Sequence, residues 1–181
     1  SGIDDGLLYF ALGAFITFVG FLIGVDSSFE LMFFYFSVFL FSSALTIRYA
    51  DAVTASVSLF TLLATVFFFT IQIGSISKLI MPFVLMLLSG LIYYFCIVFS
   101  RNHKYWIWEN CFSVVKFFSL ICFYASGNYF IVREAGSEFF DMQILPGQDI
   151  PLSIFFYLFT AVIPVVYIYC GIVKKNYTLL N

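Results

Sequence analysis

The chain is 181 residues long, 63% hydrophobic and only 10% charged, with a formal net charge of −2 and a mean hydropathy of +1.07. A water-soluble domain carries about a quarter charged residues to wet its surface, so a soluble fold is excluded and lipid is left as the solvent of the outer surface. In hydrocarbon every backbone N–H and C=O must be bonded internally, which restricts the chain to helices or a closed barrel.

Barrel strands alternate apolar and polar residues over about ten positions, and no such segment is present. The apolar runs are instead unbroken for roughly 19 to 22 residues, enough at about 1.5 Å per residue to cross a hydrocarbon layer of about 30 Å. The expected fold is therefore all-α: a single polytopic transmembrane helix bundle of about six spans, at 6–24, 29–47, 53–73, 79–99, 111–132 and 152–173.

The first run follows Asp4 and Asp5 rather than a basic segment, so it reads as a retained span and not a signal peptide. Gly13, Thr17, Gly20 and Gly24 recur in it at spacings of four, three and four. Small residues at that period allow close backbone approach, and in lipid such approach holds helices together. This face, with Gly13, Gly20 and Gly24 as its packing residues, is expected to be buried while the Phe-rich faces meet lipid.

The connections 25–28, 48–52 and 74–78 leave room only for turns, so successive helices are expected to be antiparallel neighbours. The third run carries a second small-residue stripe, Thr54, Ser58, Thr61 and Thr65, again at four, three and four. Packing is the favoured reading, because Ser and Thr return hydrogen bonds to the preceding turn. A polar pathway lined by Thr61 and Thr65 is the sharper one.

In the fourth run Pro82 is expected in the first helical turn, where a missing N–H is harmless. Ser89-Gly90 resembles the serine motif of rhomboid-like intramembrane proteases, but Leu87 stands where that motif needs Gly and no later span holds a His to act as base. Beyond this run Tyr105, Trp106 and Trp108 follow Lys104, and amphipathic rings in that position are expected to anchor the interface.

The fifth run contains Lys116, the one ionisable residue placed well inside a span. Such residues are candidate sites until excused. Its long stem favours snorkelling toward the interface; pairing across helices or with an anionic lipid headgroup is the functional alternative. Ser126, Gly127 and Asn128 interrupt the same run, and Asn128 either fixes helix register or begins a wet pocket.

The loop 133–151 mixes acidic residues with Phe139 and Phe140 and is a candidate surface helix, lid or docking surface. In the last run Pro164 removes a backbone bond to Thr160 and is expected to kink the helix.

Counting Lys and Arg beside the spans gives Arg48, Arg101, Lys104, Lys174 and Lys175 on the side of the termini against Lys78 and Arg133 on the other. Both termini are therefore expected to be cytoplasmic. The start at Ser1-Gly2 and the end just after a basic cluster read as a piece of a longer chain. The four cysteines form no CxxC pair and read as small core hydrophobes.

The stretches Leu45-Thr46-Ile47-Arg48-Tyr49 and Pro164 through Tyr167, Tyr169 and Gly171 to Lys174-Lys175 resemble multi-spanning bacterial inner-membrane proteins of unassigned function. That resemblance implies a helical membrane bundle in a bacterial inner membrane and brings no activity to carry over. With one His and no pair of carboxylates inside a span, no catalytic residues, metal site or cofactor are expected.

The favoured function is a non-enzymatic membrane domain or subunit that binds lipid or a protein partner, which includes a second copy of itself; no nucleic-acid partner is expected. The rival is a small-solute transporter, similar in size to the vitamin-capturing subunits of uptake systems. Its ligand would meet Lys116, Asn128, Ser126 or the hydroxyl stripe.

Overall fold

The computed structural model describes residues 2–23, 28–73, 77–128, 131–132 and 152–174. Among them there is no strand. The long helices are α1 (Gly2–Ile23), α2 (Ser28–Tyr49), α3 (Ala52–Ile71), α4 (Ser77–Ser100), α5 (Glu109–Gly127) and α6 (Ser153–Lys174), with a 3₁₀ segment (His103–Trp108) leading into α5. Five of these segments are long and apolar enough to cross a membrane, α5 counting with its 3₁₀ lead-in; α1 has 22 residues and an apolar stretch over Leu8–Gly20. The all-α bundle of about six spans is thus the observed fold.

Its surface is that of a protein dissolved in lipid. Phe10 and Ile154 are each 75% exposed, whereas Ser42, Thr54, Ser89 and Ser119 are fully buried. In water this arrangement would be inverted; in a membrane, small hydroxylated residues let backbones approach and large apolar ones face the chains of the bilayer.

The helices pack as two hairpins, α2–α3 and α4–α5, joined where α3 lies against both α4 and α5. From there α1 packs on α2, and α6 packs on α5. The up-and-down order brings the C-terminal ends of α2 and α4 to the same side as the N-terminal ends of α3 and α5, and we call that side the turn end.

The α2–α3 turn has a defined stop and start. Ala50 takes a left-handed backbone (φ 51°) that ends α2. Asp51 then caps α3, its Oδ2 accepting from the Thr54 N–H at 2.8 Å, and its Oδ1 accepts from the Tyr9 hydroxyl of α1 at 3.1 Å. This cap satisfies one of the amides that a helix N-terminus leaves open.

Several expected boundaries move. α4 begins at Ser77, so Pro82 is its sixth residue and lies inside the helix rather than in the first turn. α5 ends at Gly127 instead of 132, because Asn128 takes an extended backbone (φ −74°, ψ 124°). α6 is a continuous helix through Pro164, whose ring cannot donate to the carbonyl of Thr160.

The α1 packing face differs from expectation. Around Gly13 there is open space, and Thr17 is exposed with its hydroxyl returned to the Gly13 carbonyl at 2.9 Å. The buried residues of α1 are Leu8, Leu12 and Val19, and Phe15 stacks on Phe41 of α2 with centroids 4.0 Å apart. Side-chain interdigitation holds α1 in the chain, and of Gly13 and Gly20 the second meets a neighbour, the Phe34 ring at 3.4 Å from where its Cβ would be. Gly24 lies outside the described residues.

Candidate functional site

A cleft of about 640 Å3 lies between α3, α4 and α5 toward the turn end. Each helix gives it one face. Ala55, Leu59 and Leu62 come from α3, Ile92, Cys96 and Phe99 from α4, and Cys111 and Val115 from α5. Spacings of three and four put each set on one side of its helix. Thr46 and Ile47 at the end of α2, and Tyr105 and Trp108 of the 3₁₀ segment, complete the wall.

Ala55, Leu59, Cys96 and Cys111 of the wall are buried, while Ile47 is 71% and Phe99 44% exposed. An aromatic collar stands at its turn end. Phe99 stands edge-on to Tyr105 (5.6 Å between centroids) and is stacked near Phe112 (6.5 Å), and Tyr105 lies 6.1 Å from Trp108.

The Trp108 indole N–H donates to the Thr46 carbonyl at 3.3 Å and ties the 3₁₀ segment to the end of α2. The aromatic cluster that the sequence offers as a membrane belt is thereby divided. Trp106 is 68% exposed and faces out, and Tyr105 and Trp108 turn in toward the cleft.

The aliphatic hydroxyls of the cleft wall are engaged. Thr46 donates to the Ser42 carbonyl at 2.9 Å and lies 3.1 Å from the Thr54 hydroxyl; Ser58 and Ser43 share a 2.7 Å hydrogen bond between α3 and α2. What remains for a ligand is methyl, ring and thiol surface, the thiols being the free Cys96 and Cys111.

Of the residues singled out from the sequence, Ser58, Cys96, Tyr105, Trp108 and Cys111 line this cleft, and the candidate polar residues Thr61, Thr65, Lys116, Ser126 and Asn128 do not. Thr61 and Thr65 return their hydroxyls within α3, to the Val57 and Thr61 carbonyls, both at 2.7 Å. Ser126 does the same to Cys122 at 2.7 Å, and the Asn128 side-chain amide donates to the Tyr124 phenol at 3.0 Å. Lys116 is half-buried on α5 and makes no ion pair with a described residue. Phe139 and Phe140 lie outside the described residues.

Sequence reasoning missed two features. The cleft is one, for although Ser58, Cys96, Tyr105, Trp108 and Cys111 of its wall each drew notice, nothing in their spacing brings them together. The other is Gly127, where a Cβ would overlap the ring of Phe159 of α6. Among the described residues no group of three His, Cys, Asp or Glu side chains comes together.

No family model matches the chain, and neither the curated proteins nor the solved structures compared with it give a match, so the resemblance to bacterial inner-membrane proteins rests on the short stretches of α2 and α6 alone.

Proposed function

We propose that the chain is a non-enzymatic membrane domain that holds a lipid acyl chain in the cleft between α3, α4 and α5. The observation that carries this reading is the combination of the cleft's size and walls. Its volume of about 640 Å3 falls within the roughly 300 to 1,000 Å3 of small-molecule sites. Its walls offer hydrocarbon, rings and sulfur, while the nearby hydroxyls are bonded elsewhere. An acyl chain is the apolar ligand that the surrounding solvent supplies at highest concentration.

Small-solute transport asks for polar groups around a cavity near the midplane. Thr61 and Thr65 instead satisfy their own helix, and Ser126 and Asn128 bond the Cys122 carbonyl and the Tyr124 phenol, which favours the apolar occupant. In the proposed orientation the turn end, with Arg48, Arg101 and Lys104, faces the cytoplasm by the excess of positive charge.

The test is retention of lipid by the chain purified in mild detergent. Native mass spectrometry is expected to find a single bound lipid per chain, and Cys96 and Cys111 should react more slowly with an apolar maleimide when lipid is added back. Ala55→Phe, which fills the cleft from a position 4% exposed, should lower retention, with Ser58→Leu as a second block from the same helix. Absence of retained lipid together with unchanged thiol reactivity overturns the proposal. A lipid-free dimer would reassign the cleft to a neighbouring helix.

A further inference from the structure

Three cations border the cleft at its turn end. Each lies within two residues of a side chain in the cleft wall: Arg48 follows Ile47, Arg101 comes two after Phe99, and Lys104 precedes Tyr105. All three are exposed. They belong to three different segments, the ends of α2 and α4 and the 3₁₀ turn, which the packing brings to one end of the bundle.

Two carboxylates stand at the starts of α3 and α5 there. Asp51 is occupied by the Thr54 amide and the Tyr9 hydroxyl, and Glu109 is exposed. His103 of the 3₁₀ turn is exposed as well. Three cations against these two carboxylates leave the segments that border the cleft with an excess of one positive charge.

Resting on the acyl-chain reading, we infer that the bound lipid is an anionic phospholipid, with a chain in the cleft and its phosphate at Arg48, Arg101 and Lys104. The two halves of the site match the two halves of such a molecule. The wall is apolar, with Leu59 and Cys111 only 4% and 3% exposed, and cations border it at the turn end, where a headgroup sits. Arg forks bind phosphate oxygens in a fixed geometry, and Lys adds a point charge. Zwitterionic headgroups offer the same phosphate but bring their own cation, so the site discriminates by net charge.

A generic attraction of basic residues to an anionic surface would give the same sign of preference but no saturation. The experiment therefore counts lipids. The chain in detergent is titrated with phosphatidylglycerol or with phosphatidylcholine of identical acyl chains, and bound lipid is read by native mass spectrometry. The expected result is saturation at a single phosphatidylglycerol per chain, retained about tenfold or more over phosphatidylcholine.

Each of Arg48→Gln, Arg101→Gln and Lys104→Gln should weaken phosphatidylglycerol by about fivefold. The triple variant should hold both lipids alike, with helix content by circular dichroism unchanged. Equal retention of the two lipids by the native chain overturns the inference while leaving acyl-chain binding intact. So does a preference that survives the triple variant or that disappears with Lys116→Met. Retention of neither lipid overturns both readings together.

Discussion

Toward the turn end, the side chains that meet between α2 and α3 are oxygens, Ser43 with Ser58, Thr46 with Thr54, and Asp51 closing the turn on Thr54 and Tyr9, while at the far end the Tyr35 and Phe68 rings stack at 5.5 Å. Between α5 and α6 they are rings. Phe159 stands 5.6 Å from Phe123 and 5.9 Å from Phe155, and Phe156, 2% exposed, packs on Phe83 of α4 and on Val132. A hydrogen bond also crosses to α6 there, from the Tyr167 phenol to the Leu120 carbonyl at 3.1 Å. The two regions solve the same problem, since neither can use the expulsion of water, and the oxygens do so by bonding while the rings do so by shape. Shape fails abruptly when a volume changes; bonding fails by small steps.

The largest expected effect follows from that difference. Gly127→Leu sets a branched side chain where the Phe159 ring now lies against the α5 backbone. The ring is confined by Phe123 and Phe155, so overpacking should destabilise by about 3 kcal/mol and lift α6 from α5. Hydrogen exchange in α6 should rise while α2 and α3 stay protected. A second change, Phe159→Ala, should return much of the loss by making room. If Gly127→Leu unfolds as the native chain does, the shape argument for this contact is wrong.

A middle-sized effect belongs to the turn. Asp51→Ala removes the cap of α3 and the acceptor of Tyr9 at once, and a lost cap costs about 1 kcal/mol. The charge on the acceptor and the Tyr9 bond bring the expected loss to about 2 kcal/mol, measured by reversible unfolding in mixed micelles. Asp51→Asn keeps an acceptor and should recover most of it. Equal stability of Asp51→Ala and the native chain would mean that water or lipid headgroups serve the Thr54 amide equally well.

Much of the architecture was legible because lipid writes a simple rule into a sequence. The runs at 29–47 and 53–73 fall within two residues of Ser28–Tyr49 and Ala52–Ile71, since charge and turn residues mark where hydrocarbon ends. Where the rule weakens, the reading slips. Hydropathy carried the fifth span to 132, and the backbone left the helix at Asn128, a place that Ser126, Gly127 and Asn128 already marked.

The cleft was not legible, because a helix apolar on every side has no periodicity to separate its faces. Phe95 and Phe99 lie one turn apart on α4, of one residue type and both exposed, and only Phe99 enters the cleft wall. The same holds for Gly13 and Gly127, equally small, of which only the second has a ring against it.

The smallest expected effect probes the oxygens one pair at a time. The 2.7 Å hydrogen bond of Ser43 and Ser58 joins α2 to α3 beside the cleft, and Ser58 belongs to its wall. Interhelical hydrogen bonds in membranes average about 0.6 kcal/mol in double-mutant cycles, because the separated helices find other partners. Ser43→Ala and Ser58→Ala, singly and together, should give a coupling of that size. The α2–α3 seam would then owe its order to several weak bonds in series with the Asp51 cap. A coupling near zero would hand the seam to the same close packing that governs α5 and α6, and the contrast between the two regions would reduce to residue size. A coupling above about 2 kcal/mol would exceed the strongest pairs of this kind; it would mean that the hydroxyls have no alternative partner when parted, as in a wall kept dry by the chain that fills the cleft.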